Sequence, residues 1–182
     1  MLYIMRHGKT DWNSSHKLQG RTDIPLNDEG RLMAKNACRE YKNVNIDICF
    51  CSPLKRATET ARIVLEGRNI PIIKDDRLVE MSFGKYEGME NVFLTPECPI
   101  RVLFDTPEKY TSSLGGSETF DELFSRTGDF LENTVKPLLK EGKDVLIVGH
   151  GAMNSSIICQ AKNIPVKDFW SAGLEQCRLM PL

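Results

Sequence analysis

The chain opens on a short apolar run, "LYIM" at 2–5, that reads as a buried strand ending at Arg6. In "PLNDEGRLMAKNACREY", Asn27 is placed to cap a helix, and Asp28 and Glu29 follow where the helix dipole favours acids. Met33, Ala37 and Tyr41 then recur every four residues, which predicts a helix to about residue 42. "DICFCSPLKRATETARIV" reads as strand, turn and helix, with the strand at 47–51. Ser52 is the expected cap, Pro53 the expected first helical position, and Arg56 falls in the first turn. "IPIIK" predicts another short strand. Periodicity is poor from Ser82 to Gly116, and Pro96, Pro99 and Pro107 interrupt it, so a lid-like insertion with little regular structure is expected at about 85–116.

Helical spacing returns at about 118–135, with Phe120, Leu123, Phe124, Thr127 and Leu131 on one side, and Pro137 is the expected bend or stop. "DVLIV" is a continuous apolar run, the pattern of a central strand covered on both faces, and His150 stands just past its end. A helix over 152–162 and a last strand over about 174–180 complete the series. Strands alternating with helices predict an α/β fold, a three-layer sandwich whose mostly parallel central sheet has helices on both faces. The expected organisation is one domain over 1–182 with the short insertion. In such sheets ligands bind beyond the carboxyl ends of the strands, and His7, Ser52–Arg56 and His150 all come directly after predicted strands.

Composition narrows the partners. A net charge of −1, with 41% hydrophobic and 27% charged residues, describes an ordinary folded chain and gives no reason to expect a nucleic-acid or membrane surface. No apolar stretch approaches the ~18–20 residues that span a bilayer. Six cysteines lack any CxxC spacing and several lie in apolar segments, so buried free thiols in a reducing cytoplasm are expected. Nothing in the sequence speaks to oligomeric state.

Arg6, His7, Arg56 and His150 at one sheet edge would repel one another. Two unit charges about 4 Å apart cost about 4 kcal/mol at an effective dielectric near 20. A tetrahedral dianion turns that repulsion into attraction, and the arginine fork matches phosphate oxygens. The expected ligand is therefore a phosphoryl group. Neighbouring arginines keep His7 neutral and nucleophilic; a backbone carbonyl on Nδ1–H would leave Nε2 facing phosphorus, and Gly8 would let the chain pass close by. His150 would donate to the equatorial oxygens. Glu80 in "RLVEMSFGKYEG" is the best carboxylate to give the leaving group its proton and then to activate water, with Glu87 its nearby competitor. Against these roles stand plainer ones: an ion pair of Arg56 with Glu59, a solvated loop for His16, and packing for Trp12 and Trp170. The histidines show no HxH or HExxH spacing, so no metal is expected.

"RHGKTDWN", "LQGRTDIPLNDEG", "CSPLKRATETA", "LVEMSFGKYEG" and "VGHG", in that order from residue 4 to about 151, closely resemble the histidine phosphatase superfamily, the phosphoglycerate-mutase-like enzymes. The resemblance implies that His7 is phosphorylated during turnover and that Glu80 is proton donor and later general base. It implies that Arg6, Asn13, Arg56 and His150 bind the phosphoryl group, with Gln19, Gly20 and Gly151 beside it, and that neither metal nor other cofactor is needed. The expected partner is a small phosphorylated metabolite.

Three departures bear on substrate. Between Gly84 and Gly115 the cations are Lys85, Arg101 and Lys109, without the paired arginine that grips a carboxylate in the mutases. Phe83 stands where mutases commonly carry tyrosine, and the usual "GGES" reads "GGSET". These differences favour phosphatases of the α-ribazole or broad-specificity kind over a mutase. A non-catalytic phosphate-binding module on the same fold is disfavoured, since binding alone needs neither nucleophile nor acid.

Overall fold

The "LYIM" run forms β1 (Leu2–Arg6), and every residue from Val145 to Gly149 in β4 is buried, as a strand covered on both faces requires. A computed structural model describes residues 1–182, and its five strands lie in the order β3-β2-β4-β1-β5. β2 (Ile48–Cys51) and β3 (Ile72–Lys74) join β1 and β4 in parallel pairing, and β5 (Leu179–Pro181) runs antiparallel along β1. Arg6 is level with Gly149 in the β1–β4 register, so the two strands end together.

The sheet has two covered faces. On one, Met5, Cys49, Cys51, Leu146 and Val148 pack against Ala34 and Ala37 of α2 (Asp28–Glu40) and Ala61 and Val64 of α3 (Lys55–Val64). On the other, Ile4, Phe50 and Ile147 meet Phe130 of α5 (Phe120–Phe130) and Met153 and Ile157 of α7 (Gly151–Lys162). The two short helices α1 (Asp11–Ser14) and α4 (Val102–Asp105) lie in loops at the strand ends. No helix is long and apolar enough to cross a membrane, and all six cysteines are free thiols.

Two sequence expectations need correction, on the start of α3 and on the last strand. α3 starts at Lys55 rather than at Pro53, because the Ser52 N–H donates to the Val148 carbonyl (3.1 Å) and keeps that residue in the sheet. Of the bend or stop expected at Pro137, the helix shows no stop: Leu131–Val135 widens into a π-turn before it and α6 (Lys136–Lys140) carries on past it. Wider i→i+5 spacing accommodates a residue that lacks an N–H. The last strand is only Leu179–Pro181, since residues 174–177 turn back over the end of β1, where Cys177 N–H meets the Arg6 carbonyl (2.8 Å). The 85–116 stretch has little regular structure, as expected: short 3₁₀ turns and α4 wrap an apolar cluster that includes Tyr86, Val92, Ile100, Leu103 and Tyr110. Its proline interruptions conceal that burial from any periodicity test.

Candidate active site

The carboxyl ends of β1 and β4 deliver His7 and His150 side by side. His7 N–H donates to the Gly149 carbonyl (2.9 Å), and the two imidazole centroids stand 5.1 Å apart with their planes at 60°. Both rings are buried. The Nδ1 of His7 lies 2.7 Å from the Gly8 carbonyl, which can only accept, so Nδ1 carries the proton and Nε2 the lone pair. Arg56 agrees, donating from Nε to that Nε2 at 3.3 Å. Burial, then Arg56, then Arg6 hold the His7 imidazolium well below its ordinary value, with the Gly8 carbonyl opposing; burial and Arg56 do the same to His150. Both rings are therefore neutral, and neither nitrogen of His150 has a protein partner.

Gly8 has a steric reason. A Cβ there would lie 2.6 Å from the Gly30 carbonyl in the first turn of α2. Asn27 caps that turn, its side chain accepting from Gly30 N–H at 2.8 Å, and Gly8 N–H donates to the Thr60 hydroxyl (3.0 Å) on α3. His7 is thus braced through its neighbour by both helices on that face.

Arg56 does not pair with Glu59, which takes Arg31 at 2.7 Å instead. Its buried guanidinium donates to the carbonyls of Gly20 (2.7 Å) and Thr22 (2.8 Å) besides His7. Three of the five N–H groups of an arginine are so engaged, and two remain for a ligand. Arg6 donates to the Leu174 carbonyl (3.3 Å), while its Nε is buried without a partner.

Glu80 sits at the start of α7. Its Oε1 accepts from the N–H groups of Met81 and Met153 (2.9 Å each), and Oε2 accepts from Ala152 N–H at 3.3 Å. A helix N-terminus is where orphan N–H groups meet an anion, so the carboxylate is oriented by backbone rather than by a flexible partner. Glu87 lies elsewhere: its carboxylate accepts from the N–H groups of Arg21, Thr22 and Phe83 at 2.9–3.1 Å and from the Thr22 hydroxyl at 2.6 Å. It clips the Gly20 loop to the Glu80 loop, and a Cβ on Gly20, whose φ is +56°, would lie 2.2 Å from it.

One cavity of about 530 Å³ takes in Arg6, His7, Asn13, Gln19, Gly20, Arg56, Glu80 and Gly151. His150 does not line it, but its ring centroid stands 5.1 Å from that of His7, which does. Asn13 is held by the N–H of Thr10 (3.1 Å) and by Gln176 (3.0 Å), and Gln19 lies 3.0 Å from the Thr10 hydroxyl. His16 is exposed, as a loop residue should be, yet stands at the mouth of the same cavity.

Sequence reasoning missed two groups. Ser155, one turn into α7, also lines the cavity. Buried Glu118 accepts from Arg126 (2.7 and 3.0 Å) and Arg21 (3.0 Å), and Arg21 Nε donates to the Glu80 carbonyl at 3.2 Å. The altered "GGSE" stretch was the one sign of it. No group of three or more His, Cys, Asp or Glu side chains is placed to hold a metal ion.

The fold and cavity define an α/β protein with a cationic, imidazole-lined pocket at the carboxyl edge of its sheet. Residues 2–182 match the histidine phosphatase superfamily (branch 1), and the chain belongs to that family. It is 36% identical over 160 residues to the uncharacterized phosphatase PhoE of Bacillus subtilis, covering 86% of this chain and 75% of that one. It is 30% identical over 170 residues to a 2,3-bisphosphoglycerate-dependent phosphoglycerate mutase of Cytophaga hutchinsonii, covering 92% and 80%. Among solved structures, Bacillus stearothermophilus YhfR superposes with a TM-score of 0.81 at 34% identity, over 93% of this chain and 83% of that chain.

Proposed function

We propose that this chain is a phosphomonoesterase that cleaves a small phosphorylated metabolite through a phosphohistidine. The observation that carries the reading is the tautomer of His7: Nδ1–H is tied to Gly8, and the lone pair of Nε2 stands among two guanidiniums and a second imidazole. In this mechanism the Arg56 Nε–H bond to Nε2 gives way to the entering phosphoryl group, and Nε2 attacks phosphorus in line, forming the P–N bond as the P–O bond to the leaving group breaks. Glu80 gives that oxygen its proton. The resulting carboxylate takes a proton from water, which attacks phosphorus on the opposite side of the P–N bond and releases phosphate and neutral His7.

Arg6 and Arg56 supply donors for the equatorial oxygens, where charge spreads in a loose transition state, and His150, outside the lining but beside His7 with both ring nitrogens unpartnered, is the further donor in this reading. Asn13, Gln19, Gly20 and Gly151 form the remaining wall, and a Cβ on Gly151 would stand 3.8 Å from Glu80 and 4.0 Å from Arg6. The same reading treats 1–182 as one domain with 85–116 as its lid, acting in the cytoplasm, where free thiols persist.

Rapid quenching with labelled ester tests this. The protein should carry label in an acid-labile, alkali-stable bond, and His7→Ala should carry none. Turnover without labelled protein overturns the covalent route, and label retained in His7→Ala overturns His7 as its nucleophile. Chiral phosphate gives a second check, with retention expected from two in-line steps.

A mutase is the second reading, favoured by the Cytophaga relative. Against it, Arg101 is held by Asp105 (2.7 Å), and neither it nor Lys85 nor Lys109 lines the cavity. Fast isomerisation of 3-phosphoglycerate primed with bisphosphate, without phosphate release, would favour the mutase.

A further inference from the structure

The cavity has two chemically different ends. Beyond the cluster of Arg6, His7, Arg56 and Glu80 its lining turns apolar, with Leu18, Phe83, Val92, Phe93, Phe104 and Trp170. Phe104 stands at the centre of that wall. Its ring centroid lies 5.0 Å from Phe93, 5.9 Å from Phe83 and 5.3 Å from Trp170, with the Trp170 plane only 27° away. The one polar atom of this group, the Trp170 indole N–H, donates to the Leu103 carbonyl at 2.8 Å and is unavailable to a ligand. Phe93 is 58% exposed at the rim, where a solvated surface would ordinarily carry a polar side chain.

Charge is scarce at this end. Glu80 is the one carboxylate in the lining, and it belongs to the reacting end. The one cation is Lys17, and its ammonium is already 3.3 Å from Glu90. A leaving group bearing a carboxylate, or a carboxylate with an ammonium, would meet aromatic faces and lose its hydration without fixed partners. A flat apolar group would stack on Phe104 and Trp170 at ordinary aromatic spacings. The volume of about 530 Å³ is within the range of small-molecule pockets and far exceeds what a phosphoryl group fills.

We propose that the leaving-group end, built by Phe93, Phe104 and Trp170, selects phosphomonoesters whose alcohol carries an aromatic ring. The inference rests on the phosphomonoesterase reading above for its reaction, and on the wall alone for its selectivity.

Benzyl and ethyl phosphate test it, because their leaving alcohols are similarly basic and differ mainly in the ring. The value of kcat/KM for the benzyl ester should exceed that for the ethyl ester by about tenfold or more, the scale of one buried aromatic contact. It should also exceed the values for phosphoserine and 3-phosphoglycerate. In Phe104→Leu and in Trp170→Leu the benzyl-to-ethyl ratio should fall to about one third or less of its starting value. Equal turnover of the two esters, or preference for the anionic ones, overturns the proposal.

Inhibitor binding separates the two readings and needs no variant. Benzylphosphonate should bind about tenfold more tightly than ethylphosphonate. That result without hydrolysis of any ester would sink the phosphomonoesterase and leave the aromatic site standing. Equal binding of the two, with hydrolysis intact, would do the reverse.

Discussion

Arg56 Nε donates to His7 Nε2 across 3.3 Å, joining a helix start to a strand end. The contact fixes the face of the imidazole and sets a cation where negative charge will gather. Arg56→Lys keeps the charge but loses the fork that reaches Gly20, Thr22 and His7 together. We expect kcat to fall about 10²- to 10³-fold, the usual loss when one oriented donor to a developing charge is removed. Steady-state kinetics on any accepted ester measures it.

Replacing Glu80 with Gln should distinguish leaving groups. For an alkyl ester, loss of the proton donor should lower kcat by about 10²- to 10⁴-fold. A nitrophenyl ester needs little protonation, so its first step should survive while the water step fails. Labelled protein should then accumulate in rapid quenching with the nitrophenyl ester and not with the alkyl one, and an equal loss of the first step with both esters would contradict the assigned role.

His7 and His150 are buried with their pKa values pushed well below the ordinary 6.5. Below pH 6.5 the unfolded chain takes up protons on these rings while the folded chain does not. Their contribution to stability is complete above the unfolded value and is lost as pH falls towards the folded one. Denaturant melts from pH about 7 down to 5 should show declining stability, with a shallower slope in His150→Gln.

Gly30 offers a contest between propensity and space. Alanine is favoured over glycine inside a helix by about 1 kcal/mol, but a Cβ at Gly30 would stand 2.1 Å from the Lys9 carbonyl. Backbone cannot yield as a flexible side chain can. Gly30→Ala should therefore destabilise by about 1–3 kcal/mol, read as a lowered midpoint in urea.

Glu118 joins Arg126 and Arg21 beneath the Glu80 loop, and its side chain is only 6% exposed. Glu118→Ala strands two guanidiniums and should cost about 3 kcal/mol, less than a fully buried network because Arg21 reaches solvent. Urea titration of the variant beside the parent gives the number.

Local signals were readable where one segment decides its own structure. Asn27 caps α2, β4 is apolar throughout, and His7 and His150 follow their strands. Expectation failed where a distant partner decides. Ser52 reads as the cap of α3, but its N–H stays with Val148 across the sheet and the helix starts at Lys55. The aromatic wall drew on Phe93, Phe104 and Trp170, which share no periodicity and meet only in three dimensions. Trp170, expected to be mere packing, packs indeed, but one of its surfaces is the cavity.

The pairing of β1 with β4 sets when the pocket can come into being. His7 is synthesised well ahead of His150, its neighbour across the sheet. A nascent chain lacking β4 has no His150 opposite His7 and no α7 to orient Glu80. Competence thus arrives late and at once, and an unfinished chain has no half-built site with which to attack its substrate.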